Sequence, residues 1–322
     1  MSQLMKAYYD AVVPGNATLQ RALAQLAGSR CLITGANGII GYALSRLLDG
    51  YATTDLHLAV RNPHFTGREM LSERVTCIDY ASLSGERFDH IFHFACHSAP
   101  RTFLAEWQAT VRLNTSLLLD LLEATNHKLV FASSVEIYAG LPREATEEDW
   151  GGTTAPQHPR GIYIESKRVG EALCKQSGLG SASRIAYAAG PYPGPTDSRV
   201  LFELIRKGRA RQAVSLLDGH HSIRQYQYTG ACALRALVAG LLGREPVYNN
   251  AGPIVETLES IAQTIAAKLG VPYLATPAGP GVVGAPKNTS YSMDRFHGEF
   301  PEMQGIDPSF DQFIDWVVRD CP

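Results

Sequence analysis

Ser134 and Glu136, within ASSVEIYAG, and Tyr163 and Lys167, within IYIESKRVGE, are the side chains of this sequence best suited by type and spacing to move protons. Tyr163 and Lys167 stand four residues apart, just over one helical turn, so on a helix both project from one face. There the ammonium can lower the pKa of the phenol, and a phenolate near neutral pH is a usable general base. An isolated pair of this kind also fits an ordinary helix, in a chain with 14 tyrosines. Its weight comes from what lies upstream.

The run SRCLITGANGIIGYALSRLLDG reads as a buried strand, Cys31 to Thr34, then a glycine loop, then an amphipathic helix from Ile39 to Asp49. Gly35, Gly38 and Gly41 are spaced as GxxGxxG, which suits a tight turn, close approach of a pyrophosphate, and close packing of helix on strand. A plain structural turn is the alternative, but strand before and helix after is the context of a dinucleotide site. Phosphates would sit on the unpaired amides at the helix start, near Asn37, Gly38, Ile39 and Ile40.

A second strand, Leu56 to Val60, ends at Arg61 and Asn62, where the residue that reads the ribose should lie. No carboxylate is there to take a 2'-hydroxyl. Arg61 would stack on adenine or clamp a 2'-phosphate, which leans toward NADP, or it is a solvated loop arginine. A third strand, Arg74 to Ile78, runs into Asp79 and Tyr80, and a fourth, His90 to Ala95, into CHSAP. Ligands of open parallel sheets collect at the carboxyl ends of strands. Asp79 and Tyr80 are therefore candidates for the adenine, and Phe94, Ala95 and Cys96 for the middle of the cofactor, while His93 reads as a packed strand residue.

These residues need an α/β scaffold: a Rossmann-type, doubly wound parallel sheet with a smaller C-terminal α/β substrate domain. The expected division is a helical extension over 1–28, two short helices with the second from Thr18 to Ala27; an NAD(P)-binding domain over 29–189; and a mainly substrate-binding domain over 190–322, with chain exchange between the last two. The extension is too polar for a signal peptide and should pack on the domain or on a partner subunit. A helical stretch from Phe103 to Ala124 carries Asn114, KLVFASS is a fifth strand, and Ala139 to Arg160 is a loop before the helix of Tyr163. SRIAYAA is a sixth strand, and helices follow from Arg199 to Lys207, Ala231 to Leu242 and Leu258 to Leu269.

With 322 residues, 45% of them apolar, and a net charge of -2 without a basic run, the chain suits a globular protein and not a nucleic-acid binder or membrane protein. Its six cysteines show no CxxC and no zinc spacing, so they read as reduced residues of a cytoplasmic protein without a metal site. His220 and His221 read as surface residues.

TGANGIIG, HFACHSAP, Asn114, ASSVEIYAG, YIESK and RIAYAAGP, in this order, resemble the extended short-chain dehydrogenases/reductases of the NAD-dependent epimerase/dehydratase family, from residue 29 onward. The chain is most similar to the UDP-glucuronate decarboxylase and nucleotide-sugar dehydratase branch, which EEDWGG, DSRVLFELI and IRQYQY also match. The resemblance implies a tightly held, recycled NAD, a homodimer formed through helices after strands four and five, and a catalytic set of Ser134, Tyr163 and Lys167, the last two also meeting the cofactor, as does Asn114. It places Glu136 where dehydratases and decarboxylases keep an acid and simple 4-epimerases commonly have none; otherwise Glu136 is a solvated residue at a loop start. Ser98, Ser134, Tyr187, Arg199 and Arg224 are the expected contacts to a nucleotide-sugar substrate. Sugar oxidation to a ketone would acidify the C5 proton, after which dehydration or decarboxylation follows, with Tyr163 as base and Glu136 as second acid/base.

The family pattern breaks in two places. RIAYAAGP puts Tyr187 at the position of a usual Asn, and IRQYQYTGA keeps Arg224 but lacks a following Asp. Arg224 would meet a phosphate or pair with a surface acid. GAPKNTSYSMDRF offers no aligned counterpart of the arginine that a decarboxylase turns on its substrate carboxylate. C4 epimerisation, and a non-catalytic cofactor-binding regulatory subunit, are the alternatives.

Overall fold

The computed structural model describes residues 3–62, 64–65, 67–141, 144–149, 155, 157–191, 197–216, 221–275 and 290–321. Helices α1 (Gln3–Val12) and α2 (Ala17–Ala24) come first, and Asn16 starts the second by accepting the amide of Leu19. Strand β1 (Arg30–Thr34) buries four of its five residues and feeds α3 (Ile39–Tyr51). Strands β2 (Asp55–Ala59), β3 (Thr76–Ile78) and β4 (Phe88–His93) follow. Near-continuous apolar runs such as CLI and LHLA are what a parallel sheet covered on both faces demands.

The helical stretch expected from Phe103 to Ala124 is three helices: α4 (Pro100–Ala105), α5 (Trp107–Asn114) and α6 (Ser116–Glu123). The breaks fall at Glu106 and Thr115, where φ and ψ leave the helical region. At Thr115 the hydroxyl donates to Val111 O at 2.7 Å, a local bond that competes with the helix ladder. Strand β5 (Thr125–Ser134) ends in a short helical turn, Val135–Tyr138, and α7 (Gly161–Ser177) carries Tyr163 and Lys167.

SRIAYAA is not one strand. Strand β6 (Gly180–Ile185) stops at Ala186, and β7 (Tyr187–Ala189) joins a different sheet. Beyond it lie α8 (Val200–Arg211), β8 (Val214–Ser215), β9 (Ile223–Tyr228), α9 (Thr229–Leu242), β10 (Val247–Asn250), β11 (Ile254–Thr257), α10 (Leu258–Leu269), β12 (Tyr273–Leu274), α11 (Asp294–Glu299) and α12 (Phe310–Asp320).

The main sheet has seven parallel strands in the order β10-β6-β5-β4-β1-β2-β3, a Rossmann-type doubly wound arrangement. The order reverses between β1 and β4, which opens a crevice at their carboxyl ends. A small sheet, β11-β9-β7, and a two-stranded one, β12-β8, lie downstream. Helix α9 is buried along almost its whole length against α3, α2, β5 and β6. Tyr8 of α1 packs edge-on against Tyr228 and Trp316, so the first helices cover this part of the core. Among the described residues no helix is long and apolar enough to cross a membrane.

Candidate active site

The switch-point crevice is lined by backbone. Gly35, at φ +72°, would place a Cβ only 2.6 Å from Ala95 N, so the loops after β1 and β4 touch only because position 35 carries no side chain. A Cβ on Gly41 would lie 2.3 Å from Gly35 O, which fixes the first turn of α3 against the loop. Gly38 starts α3 without a side-chain cap, and it and Asn37 are exposed, so the amides beyond them, at Ile39 and Ile40, are left for an anion. That cradle fits the pyrophosphate of a dinucleotide.

Around it the candidates divide. Tyr80 is half-buried and its hydroxyl accepts the amide of Gly35 at 3.1 Å, so it braces the glycine loop. Asp79 is exposed and accepts the amide of Ala81, and Asn62 accepts that of His64. Arg61 is exposed at the end of β2. Phe94, Ala95 and Cys96 lie just past β4, while Ser98 is exposed further along the same loop. Asn114 is fully buried: its amide donates to Ser166 Oγ at 3.0 Å, tying α5 to α7, and its Oδ1 has no hydrogen-bond partner among the described residues.

At the end of β5, Ser134 accepts the amide of Glu136, and its hydroxyl lies beside the Tyr163 phenol, whose pKa it pulls down. Tyr163 is 6% exposed and its ring stacks on Phe103 of α4, with centroids 4.4 Å apart and planes at 12°. Lys167 is buried; its ammonium donates to Ala132 O at 2.5 Å and lies 5.8 Å from the Tyr163 ring centre. Burial, reinforced by Cys96 and Glu136, holds the phenol well above its ordinary pKa, against the pull of the Ser134 hydrogen bond and Arg160. Burial also lowers the pKa of Lys167. In this arrangement desolvation of the phenol outweighs the nearby cation Arg160.

Glu136 is not a solvated loop residue. Its Oε1 accepts from Arg160 Nη1 at 2.5 Å, its Oε2 is buried without a hydrogen-bond partner among the described residues, and burial raises the carboxyl pKa against Arg160 and Arg224. Arg224, on β9, is 7% exposed and lies over the Tyr187 ring at 5.6 Å. Tyr187 in turn meets Tyr226, with ring centres 5.6 Å apart. Arg199 is turned to Asp197, with contacts at 3.0 and 2.5 Å, and to Ala188 O.

Sequence reasoning missed Arg160 and a buried network behind the site. Arg160 caps the start of α7, three residues before Tyr163, at the end of a segment that reads only as a loop. Arg184 on β6 grips Glu171 of α7 with two bonds, at 3.0 and 2.8 Å, and also donates to the Tyr138 hydroxyl at 2.7 Å. Ser133 donates to the same Glu171 carboxylate, and Tyr138 to Asn249 Oδ1. Of GAPKNTSYSMDRF, residues 284–289 lie outside the described residues, and Arg295 is engaged with Glu148 and Val247 O. His220 also lies outside them, and His221 is exposed. All six cysteines are free thiols.

The chain is 28% identical over 217 residues to UDP-glucuronic acid decarboxylase 1 of Danio rerio, an alignment covering 62% of this chain and 51% of that protein. It thus spans about half the length of the curated relatives it matches. An epimerase structure from Methanothermobacter thermautotrophicus superposes with a TM-score of 0.78 at 16% identity, over 94% of this chain and 95% of that one. The NAD complex of Thermus thermophilus UDP-glucose 4-epimerase gives 0.72 at 22%, over 90% and 98%. At these identities the two structures speak for the fold. The family model described as the NAD dependent epimerase/dehydratase family matches residues 31–239, most of the chain, and with the glycine cradle at its switch point the protein belongs to that family.

Proposed function

We propose that the protein is an enzyme that holds NAD and carries out a redox-neutral change on a nucleotide-linked sugar, most specifically a dehydration or decarboxylation. The observation that carries this is Glu136: a largely buried carboxyl group in the turn after β5, beside Ser134 and Tyr163, with one oxygen unpartnered among the described residues. The similarity to UDP-glucuronic acid decarboxylases supports it. The amides at the start of α3, with Gly35, Gly38 and Gly41 shaping the loop, would hold the pyrophosphate; Tyr80, Asp79, Arg61 and Asn62 would face the adenosine end, and Phe94, Ala95, Cys96 and Asn114 the middle. The exposed Arg61 keeps NADP as a possible second cofactor.

When bound, the dinucleotide supplies a hydride acceptor and returns the hydride later in the cycle. Tyr163 takes the proton of the sugar hydroxyl being oxidised, and Ser134 hydrogen-bonds that oxygen as its charge changes. Lys167 and a cationic ring against the phenol would bring the Tyr163 pKa back down from the value that burial gives it. Glu136 then moves the C5 proton, which the new ketone has acidified. Tyr187, Arg224, Arg199 and Ser98 would bind the substrate. Residues 29–189, completed by α9 and β10, form the cofactor domain in this proposal; the rest of 190–322 closes on the sugar nucleotide, and 1–28 pad the core.

Leu104, Trp107, Leu119, Ile162 and Val169 are large apolar residues exposed on α4 to α7, and we assign that surface to a homodimer. Trp107→Glu would turn the dimer into a monomer by analytical ultracentrifugation; an unchanged mass rejects the assignment. The free thiols suit a reducing, cytoplasmic setting.

The direct test is incubation of the purified protein with a panel of nucleotide sugars, read by mass spectrometry. Loss of about 18 or about 44 mass units marks dehydration or decarboxylation. An isomer of unchanged mass makes it a C4 epimerase, the activity named for several structural neighbours.

A further inference from the structure

We infer that Arg160 is a positioning residue that aims Glu136 and holds it as a carboxylate in the resting site, so that Glu136 enters the reaction as a base. The inference rests on Glu136 being the second acid/base group and adds what controls it. Arg160 joins the two catalytic segments through both parts of its structure. Its carbonyl oxygen accepts the amides of Tyr163 and Ile164, each at 3.1 Å, and so begins the helix that carries the phenol. Its guanidinium donates to Glu136 Oε1 at 2.5 Å, across 24 residues of sequence, with both side chains almost fully enclosed.

One oxygen of Glu136 is thus fixed and the other has no hydrogen-bond partner among the described residues. A carboxylate fastened at one end presents its free oxygen in one direction, which is the geometry a proton acceptor needs. Among the described residues, the groups that face it are Arg160 and Tyr163 from the start of α7, Arg224 from β9, and Ser134 beside its own turn. Burial drives Glu136 toward the protonated form, and of the opposing charges Arg160 is the stronger. Without Arg160 the carboxyl group would take up a proton and lose its fixed direction.

The test is an isotope-edited infrared titration of the purified full-length protein, taking as the Glu136 signal the difference between each protein and its Glu136→Gln counterpart. The Glu136 midpoint should rise by about one pH unit or more in Arg160→Met and return most of the way in Arg160→Lys. An unshifted midpoint in a folded Arg160→Met protein overturns the inference. If Arg160→Met does not fold, Arg160→Lys decides, because a shorter side chain with its cation displaced should leave the midpoint measurably above that of the parent, and an unchanged one counts against it. With an active substrate in hand, kcat of Arg160→Met should fall most at low pH and recover as pH rises, with KM little changed; a loss flat across pH marks a merely structural arginine. The infrared titration needs no substrate, so it stands even if the panel assay finds no lyase activity.

Discussion

The cofactor crevice and the proton-moving site lie at the same edge of one sheet but are made in opposite ways. The crevice depends on missing side chains: a Cβ at Gly35 or Gly41 would collide with backbone at 2.6 or 2.3 Å. The proton site depends on side chains that are costly to bury: Glu136 with Arg160, Glu171 with Arg184, and Lys167 on Ala132 O. The first is specified by local sequence and would tolerate little. The second is assembled from segments far apart in the chain, so its charges are held only while every partner is present.

The largest effect expected is at the proton site. Tyr163→Phe should cost about 1,000-fold or more in turnover while leaving NAD affinity, measured by fluorescence titration, nearly unchanged. Substantial turnover without the hydroxyl would mean that another group is the base. Glu136→Gln should spare the oxidation step and leave reduced cofactor accumulating at 340 nm in a lyase, a wavelength ordinary for reduced nicotinamide, at about one equivalent per site. Full turnover in that variant would favour the epimerase.

Next comes the support behind the site. Arg184→Met strands the Glu171 carboxylate and should lower stability by about 3 kcal/mol in urea unfolding, because a buried charge loses its partner. Replacing both members, Arg184→Met with Glu171→Leu, should recover part of that. In the crevice, Gly41→Ala should cost about 2 kcal/mol and weaken NAD, since backbone rather than a flexible side chain must give way. A variant that binds NAD normally would show the loop to be softer than the proton site.

The smallest effect separates burial from pairing. Asp320 is buried with both carboxylate oxygens unpartnered among the described residues, and its pKa is raised to about 6. A carboxyl group whose folded pKa lies above its unfolded value keeps its proton longer in the folded state. Stability is therefore lost as pH rises from about 4 to about 6 and stays lower above that range. Asp320→Asn should gain about 1–2 kcal/mol at pH 7 and nothing below pH 4. No gain at pH 7 would mean that an isolated buried carboxylate is tolerated here.

What could be read in the sequence follows the same division. β1, the glycine loop and α3 were legible because turn, period and spacing all lie within one short run. Ser134, Tyr163 and Lys167 were legible through motif order, yet their electrostatics were not: the phenol's environment is set by Phe103, Cys96 and Glu136 from other elements. The crossing at Ala186 was hidden because an apolar run such as RIAYAA suits either sheet, and the breaks at Glu106 and Thr115 because neither Gly nor Pro marks them. The pairing of Arg160 with Glu136 bridges a loop, which no periodicity reports.

Strand β10 gives the molecule a timetable. It pairs with β6 at the edge of the main sheet, and its Asn249 receives the Tyr138 hydroxyl next to the catalytic turn. On a ribosome, roughly 60 residues made at about 5–20 per second separate the two strands, so β6 leaves the machinery as an open edge for several seconds. During that interval the unfinished sheet is a template for any passing strand. Chaperone demand and aggregation of the nascent chain should therefore concentrate between the synthesis of Ile185 and that of Asn250, and end once the closing strand is in place.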